Sequence, residues 1–340
     1  MGESADAAST EQRQVLVRIG RKFKRCHGDV RMLQRDPVEP GRVSPKRDVP
    51  DAITRPDYVA TGSVTTSTGL QVHDEESLDR MRIACRVAAE VLLRTGAAVA
   101  PGVTTEELDV IAHETYVEFG AYPSTLGYGG RRDYPKSVCT SVNGVVCHGI
   151  PDDRPLKEGD IVNVDVTAFI EGMHGDTSAT FCVGEVDEAT SGLVATTREA
   201  TLRGIAAVKP GEPLRRIAEV IEPFAAGRGY GVVREYGGHG IGETFHAAPH
   251  VNHCVLPEDT LPFQVGMTFT VEPMLTTGVA TYRQGDDGWT EHLVDSMPSA
   301  QFEHTVVVTP QGAEILTVNA DGRTAAGTLD ELTASAGSTN

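Results

Sequence analysis

The chain has 340 residues, 39% of them apolar and 23% charged, with a net charge of −18 at pH 7. Those proportions are those of a soluble globular protein, long enough for one large domain or two smaller ones. The acidity argues against nucleic acid as the main partner, and no apolar run reaches the length of a membrane-spanning helix.

The opening "MGESADAASTEQRQ" is polar and acidic and lacks the apolar core of a secretory signal. Residues 11–50 hold eleven Lys/Arg against five Asp/Glu, a net of +6, which leaves −24 for the remainder. Within this basic segment "VLVRIGRKFKR" suggests a short amphipathic helix, and "RDPVEPGRVSPKRDVPDAITRPDY" is Pro-rich and expected to be extended. The organisation expected is an N-terminal extension over 1–75, a body over 76–318 and a small, polar, disordered tail over 319–340. The extension reads as a solvated tail or strap, or as a docking arm for an anionic surface such as the ribosome. The six cysteines (Cys26, Cys85, Cys139, Cys147, Cys182, Cys254) form no CxxC pair and no disulfide framework. Reduced thiols in a cytoplasm are expected.

The body carries a faint internal repeat. Helical patterns over "SLDRMRIACRVAAEVLLRTGAAVAPGVTTEELDVIAHETYVEFG" are answered by "TREATLRGIAAVKPGEPLRRIAEVIEPFAAGRGY", each broken at a Pro-Gly turn. "CHGIP" at 147–151 is echoed by "GHGIG" at 238–242, and "EGDIVNVDV" by "VGMTFTVEP". Gly159 precedes Asp165 by six residues, as Gly266 precedes Glu272. Two similar halves imply an approximate two-fold axis with the carboxylates of both converging at its centre.

The stretch "DIVNVDVTAFIEGMHGDTSATFCVG" reads as a hairpin turning at Glu171-Gly172. A two-residue turn sets Asp165 opposite Ser178 and Asp176 opposite Thr167. The two acids then share a face as diagonal neighbours roughly 7–8 Å apart at the backbone. Unpaired buried charge is costly, so such a pair points either to a solvated face or to a shared cation. The second half adds His239 beside a Gly-rich turn, Glu272 in a β-branched strand and Glu303 in another. Four carboxylates and one imidazole suit hard or borderline divalent ions, Mn, Fe, Co or Zn, and four negative charges offset two dications.

The ordered motifs "YPKSVCTSVNGVVCHGIP", "DIVNVDVTAFIEGMHGDTSATF", "GHGIGETFH", "FTVEPM" and "QFEHTVVVT" closely resemble those of type I methionine aminopeptidases, over about residues 75–318. The resemblance implies the pita-bread α/β (α+β) fold, a curved antiparallel sheet covered by helices, with pseudo-two-fold halves. It makes Asp165 a bidentate ligand of one metal, Asp176 and Glu303 bridging carboxylates, and His239 and Glu272 ligands of the other metal. His148 and His246 match two histidines that contact substrate. Thr125, Tyr128, Tyr134, Cys139, Phe245 and Trp289 fall where the family lines its methionine pocket, whereas Cys147 is read as core. The sequence departs from the family's pattern in three places. Thr125 replaces a usual Cys, "STLGYGGRRDYPKS" is two residues longer than the commoner spacing, and Ala247-Ala248 replace an acidic pair. The extension has no zinc-finger cysteines and is similar to that of actinobacterial forms.

The implied activity is removal of the initiator methionine from nascent polypeptides whose second residue is small. Two divalent metals would hold a water and lower its pKa toward neutrality, so that hydroxide attacks the first peptide carbonyl. Glu272 is the candidate proton shuttle, His246 the oxyanion donor and His148 the holder of the scissile amide. A cytoplasmic monomer is expected, with no membrane and no specific nucleic acid, and with ribosome contact through the extension as one option. Two rivals stand: a proline-specific aminopeptidase or prolidase of the same fold, and a non-enzymatic, ribosome-binding member of it.

Overall fold

The structure, a computed structural model, describes residues 16–19, 22–25, 37–64, 67–129 and 133–328. It divides into two compact units, Met1–Met32 and Leu33–Asn340. In the first, Leu16–Ile19 and Lys22–Arg25 are antiparallel strands with Ile19 facing Lys22. The amphipathic helix expected here is therefore corrected to two antiparallel strands. Val17 and Ile19 are β-branched and lose side-chain freedom in a helix, and Gly20 weakens a helix that would have to run through it.

The second unit holds five helices among its described residues: α1 (Asp57–Thr61), α2 (Glu75–Ala97), α3 (Thr105–Glu118), α4 (Glu188–Ala206) and α5 (Arg215–Gly227). Their starts are written in the sequence. Asp74 caps α2 by accepting from the Ser77 amide at 2.9 Å, Thr104 and Glu107 close a reciprocal capping box on α3, and Asp187 caps α4. Along α2, Leu78, Met81, Cys85, Ala88 and Leu92 recur every three to four residues and are all buried. That face lies so close on the strand Met173–Cys182 that a Cβ at Gly175 would sit 2.4 Å from the Cys85 amide nitrogen.

The helices cover a curved twelve-stranded sheet. Its main path runs Ser67–Leu70, Ala247–Val251, Gly238–Gly240, Thr268–Val271, Ser299–Thr309, Met173–Cys182, Ile161–Ile170 and Tyr122–Pro123. Every pairing on it is antiparallel except the edge pair of Ser67–Leu70 with Ala247–Val251. Residues 67–70 of the expected extension thus form the sheet's edge strand, and Val49 and Ile53 are buried against Tyr122, Leu126 and Phe169. At the other end of the chain, Arg323–Thr324 pairs with Gly327–Thr328, so folded structure runs beyond 319 to Thr328; residues 329–340 lie outside those described.

The two-fold relation is carried by matching hydrogen bonds. The Gly102 amide donates to Leu156 O at 2.8 Å and the Gly211 amide to Phe263 O at 2.9 Å. The returning bonds are Leu156 N to Val103 O at 2.8 Å and Phe263 N to Glu212 O at 2.9 Å. One apolar cluster fills each half, around Val164 and Leu92 in the first and around Val271 and Ile217 in the second. The sheet's centre, between them, carries the polar side chains.

Candidate metal centre and substrate cavity

The hairpin turns at Glu171 and Gly172, whose φ values of 54° and 75° are those of a type I′ turn. That turn fixes the register Asp165↔Ser178 and Thr167↔Asp176. Neighbouring strands extend the first of these rows at both ends. Cys139 faces Asp165, and Glu303 faces Ser178. Directly paired residues share a face, so Asp165, Asp176 and Glu303 rise from one side of the sheet. His239 comes from the short strand Gly238–Gly240, and Glu272 follows the strand Thr268–Val271. His239 Nε2 stands 3.7 Å from both Asp176 Oδ2 and Glu272 Oε1. Asp176, His239 and Glu303 each offer a ligand atom within 4.8 Å of the others.

Asp176, Glu272 and Glu303 are buried, and among the described residues no Lys or Arg pairs with any of the four acids. Burial raises the Asp165 carboxyl to about 7. Burial, with repulsion from Asp165, raises Glu272 to about 8. Asp176 and Glu303 are pushed well above the usual carboxylate range by burial and then by the neighbouring acids. Loss of hydration lowers His239 to about 4, leaving a neutral ring with a lone pair to give. Four crowded carboxylates and a neutral imidazole with no cationic side chain beside them fit divalent metal ions, whose charge relieves the repulsion.

Around them, polar neighbours fix each acid. Thr167 donates to Asp176 Oδ1 at 2.9 Å, Thr270 to Glu272 Oε1 at 2.7 Å, and Gln301 to Glu272 Oε2 at 3.0 Å. The Glu272 amide donates to His253 Nε2 at 3.1 Å. The motifs do not single out these partners, yet a signal was present. Thr167 and Gln301 each lie two positions from a carboxylate on the same strand, hence on the same face, and Thr270 lies two positions before Glu272, which directly follows its strand. His253 carries no such signal, because a loop brings it back.

One cavity of about 520 Å³ is lined by all five candidate ligands, by His148 and His246, and by Thr125, Tyr128, Tyr134, Cys139, Phe245 and Trp289. It also takes in Cys147, Tyr236, Met274 and Gln301, which the motifs do not assign to it. Cys147 packs in a small apolar cluster with Val146 and Leu293 and also reaches the cavity wall. Tyr134 and Trp289 meet edge to face at 5.3 Å, as do Tyr128 and Phe245 at 5.0 Å. His148 has a φ of 56°, in the left-handed region where a side chain is strained, and its ring stands edge-on to Tyr236 at 5.5 Å. The His246 ring lies 4.3 Å from that of His239, and its Nδ1 is 2.7 Å from the Tyr128 hydroxyl.

This fold, with a histidine and four carboxylates at its centre, defines a pita-bread metallopeptidase. The sequence pattern of metallopeptidase family M24 matches residues 79–310. Methionine aminopeptidase 2 of Mycobacterium tuberculosis is 52% identical over 286 residues, which span 84% of this chain and 99% of the relative. The crystal structure of methionine aminopeptidase from Rickettsia prowazekii superposes with a TM-score of 0.71 at 43% identity, covering 74% of this chain and 100% of that one. The prolidase of Pyrococcus horikoshii shares the fold alone, at 20% identity and a TM-score of 0.59. The chain belongs to metallopeptidase family M24 and, within it, to the methionine aminopeptidases, which are metal-dependent hydrolases.

Proposed function

We propose that the chain removes the initiator methionine of nascent polypeptides with two divalent first-row ions held by Asp165, Asp176, His239, Glu272 and Glu303. The observation that carries this reading is the convergence of four carboxylates, without a Lys or Arg partner among the described residues, on the cavity that also holds the aromatic wall. When bound, the ions supply a water that loses its proton near neutral pH and a pull on the carbonyl oxygen.

The chain's own residues do the rest. Glu272, gripped at both oxygens by Thr270 and Gln301, holds a carboxylate where it takes the proton of the attacking water and passes it to the leaving amine. The Tyr128 hydroxyl stands 2.7 Å from His246 Nδ1, and in the tautomer where it donates there the ring proton sits on Nε2 as a donor to the developing oxyanion. His148 steadies the scissile amide. Thr125, Tyr128, Tyr134, Cys139, Phe245 and Trp289 enclose the methionine side chain. The five described cysteines are unpaired, which supports a reducing, cytoplasmic setting. The +6 segment over 11–50 supports contact with an anionic surface such as the ribosome.

Turnover of Met-Ala-Ser against Ala-Pro peptides, with the metal titrated, is the test. Chelation should abolish cleavage, a divalent first-row ion should restore it, and Asp165→Asn should lose both metal and turnover. Cleavage by a metal-free preparation, or preference for Ala-Pro, rejects the reading.

A further inference from the structure

The catalytic wall is braced from behind by a residue outside the family's matched span. Tyr58, in α1, precedes the matched residues 79–310 and is 8% exposed. Its hydroxyl donates to the Ser124 carbonyl. Its ring meets Tyr128 edge to face, with centroids 5.2 Å apart and planes at 80°. Tyr128 in turn is the hydrogen-bond partner of His246 Nδ1. On a second side Tyr58 stacks over His174 at 6.4 Å. His174 is tied through Nδ1 to Ser124 Oγ at 2.8 Å and stacks on Phe245 at 5.3 Å, whose ring lies 4.1 Å from that of His246. Two routes therefore lead from Tyr58 to one imidazole.

The placement of Tyr58 is itself built. Arg47 pairs with Glu106 and Asp109 of α3, Asp48 O faces His113 Nε2 at 3.1 Å, and Val49 and Ile53 are buried. A chamber of about 240 Å³ lies against Tyr58, Tyr128, His174, Phe245 and His246. With Tyr58 truncated, Tyr128 has room to turn away from His246.

We propose that Tyr58 is a positioning residue, which holds Tyr128 in the orientation that keeps the Tyr128–His246 hydrogen bond. The inference rests on the role given above to His246. An edge-to-face pair favours one ring orientation because the positive edge of one ring meets the negative face of the other. Tyr58 thereby makes the strap before α2 part of the catalytic apparatus.

The test uses the full-length, metal-loaded enzyme and a Met-Ala-Ser substrate. The variants are Tyr58→Ala, Tyr58→Phe, Tyr128→Phe and the double variant Tyr58→Ala/Tyr128→Phe, each checked by thermal melting and metal content. Tyr58→Ala should lower kcat about three- to tenfold, the scale of an aromatic pair, with a smaller rise in KM because Tyr128 also lines the methionine pocket. Tyr58→Phe, which keeps the ring, should recover most of that loss. In the Tyr128→Phe background, Tyr58→Ala should cost less than about twofold more, because residues acting through one contact are not additive. Should Tyr58→Ala unfold the enzyme, Tyr58→Leu fills the space without a ring and is expected to show the same loss. Wild-type kcat in Tyr58→Ala, or an equal loss in both backgrounds, overturns the proposal while leaving His246 in its role. Wild-type kcat in His246→Ala removes that role, and the proposal with it.

Discussion

Thr167 donates its hydroxyl to Asp176 across the central hairpin, at 2.9 Å, and both side chains lie in one row of the sheet. The contact leaves Asp176 Oδ2 as the oxygen 3.7 Å from His239. A hydrogen bond of this kind orients a ligating carboxylate and stops it turning. Thr167→Val should weaken metal binding by about 10- to 100-fold, the usual effect of removing such a partner. Thr167→Ser, which keeps the hydroxyl, should bind nearly as the parent does. Competition against a fluorescent chelator measures both; equal affinities for Val and Thr at 167 would show that the hydroxyl has no part in holding the metal.

The same cluster dictates a pH dependence in chelator-stripped protein. Asp165 and Glu272 are raised to about 7 and about 8, chiefly by burial. A carboxyl whose folded pKa is raised binds its proton more tightly when folded, so its contribution to stability is full below its unfolded pKa, near 4. That contribution is lost as pH rises through 7 and 8. The melting temperature of stripped protein should therefore fall between about pH 5 and 8, with the carboxylate shift as its cause. Adding Mn or Co should flatten the curve and release protons, detectable by calorimetry in two buffers of different ionisation enthalpy. A stripped protein that gained stability over that range would contradict the assignment.

Gly159 and Gly266 hold the same place in the two halves, with φ of 84° and 87°. Each amide donates to a backbone carbonyl, Val183 O just past the strand Met173–Cys182 at 2.9 Å and Val308 O within the strand Ser299–Thr309 at 2.8 Å. Alanine in that left-handed conformation costs about 1–2 kcal/mol. Gly266→Ala carries a further load, since its Cβ would lie 2.6 Å from the His73 carbonyl oxygen. Urea unfolding should rank Gly266→Ala as the more destabilised of the two. Equal losses would mean that the segment around His73 yields without cost.

These two glycines also mark how much of the fold is legible in the sequence. The repeat spaces Gly159 from Asp165 and Gly266 from Glu272 alike, and the alternation of one hairpin sets Asp165 and Asp176 on one face. Local rules of pleat and turn decide such features. The helix expected over 15–25 is not formed, because charge and apolar spacing fit two elements there, and only pairing between Leu16–Ile19 and Lys22–Arg25 decides between them. Tyr58 and His253 reach the centre from a short helix and a loop, and no periodicity encodes where a loop returns. Ser67–Leu70 joins the sheet as a parallel edge for the same reason.

Residues 1–32 form a unit of their own. Their removal should leave tripeptide cleavage within about twofold of the full chain, because none of the proposed catalytic side chains lies there. Salt-sensitive co-sedimentation with ribosomes should weaken, since contacts of Lys and Arg with phosphate are screened as salt rises. Unchanged co-sedimentation would free the basic segment from that role.

The selectivity of cleavage follows from what the cavity of about 520 Å³ has to hold. Tyr134 against Trp289 and Tyr128 against Phe245 give it two edge-to-face aromatic corners, and Cys139 faces Asp165 on the sheet beneath. Polarizable walls of this kind suit an unbranched thioether better than a branched or charged side chain. Thr125 donates its hydroxyl to Lys136 O at 3.0 Å, so its polar group is satisfied by backbone and not by a ligand. Thr125→Val should accordingly change KM for methionyl substrates by less than the roughly two- to tenfold that losing one uncharged hydrogen bond to the substrate would cost. The same space must also admit the metal ions and the residue after the scissile bond. A small second residue, Gly, Ala or Ser, leaves the reacting carbonyl free to approach Glu272 and His246; Leu, Lys or Arg crowds it. Steric exclusion of this sort discriminates more strongly than a missing methylene in a roomy pocket. In a Met-Xaa-Ser series, kcat/KM should fall by about two orders of magnitude or more from Ala to Leu or Lys, the loss lying mainly in kcat because the methionine end still binds. Equal kcat/KM for Ala, Leu and Lys would mean that the cavity is open beyond the scissile bond, and the proposed restriction to small second residues would be withdrawn.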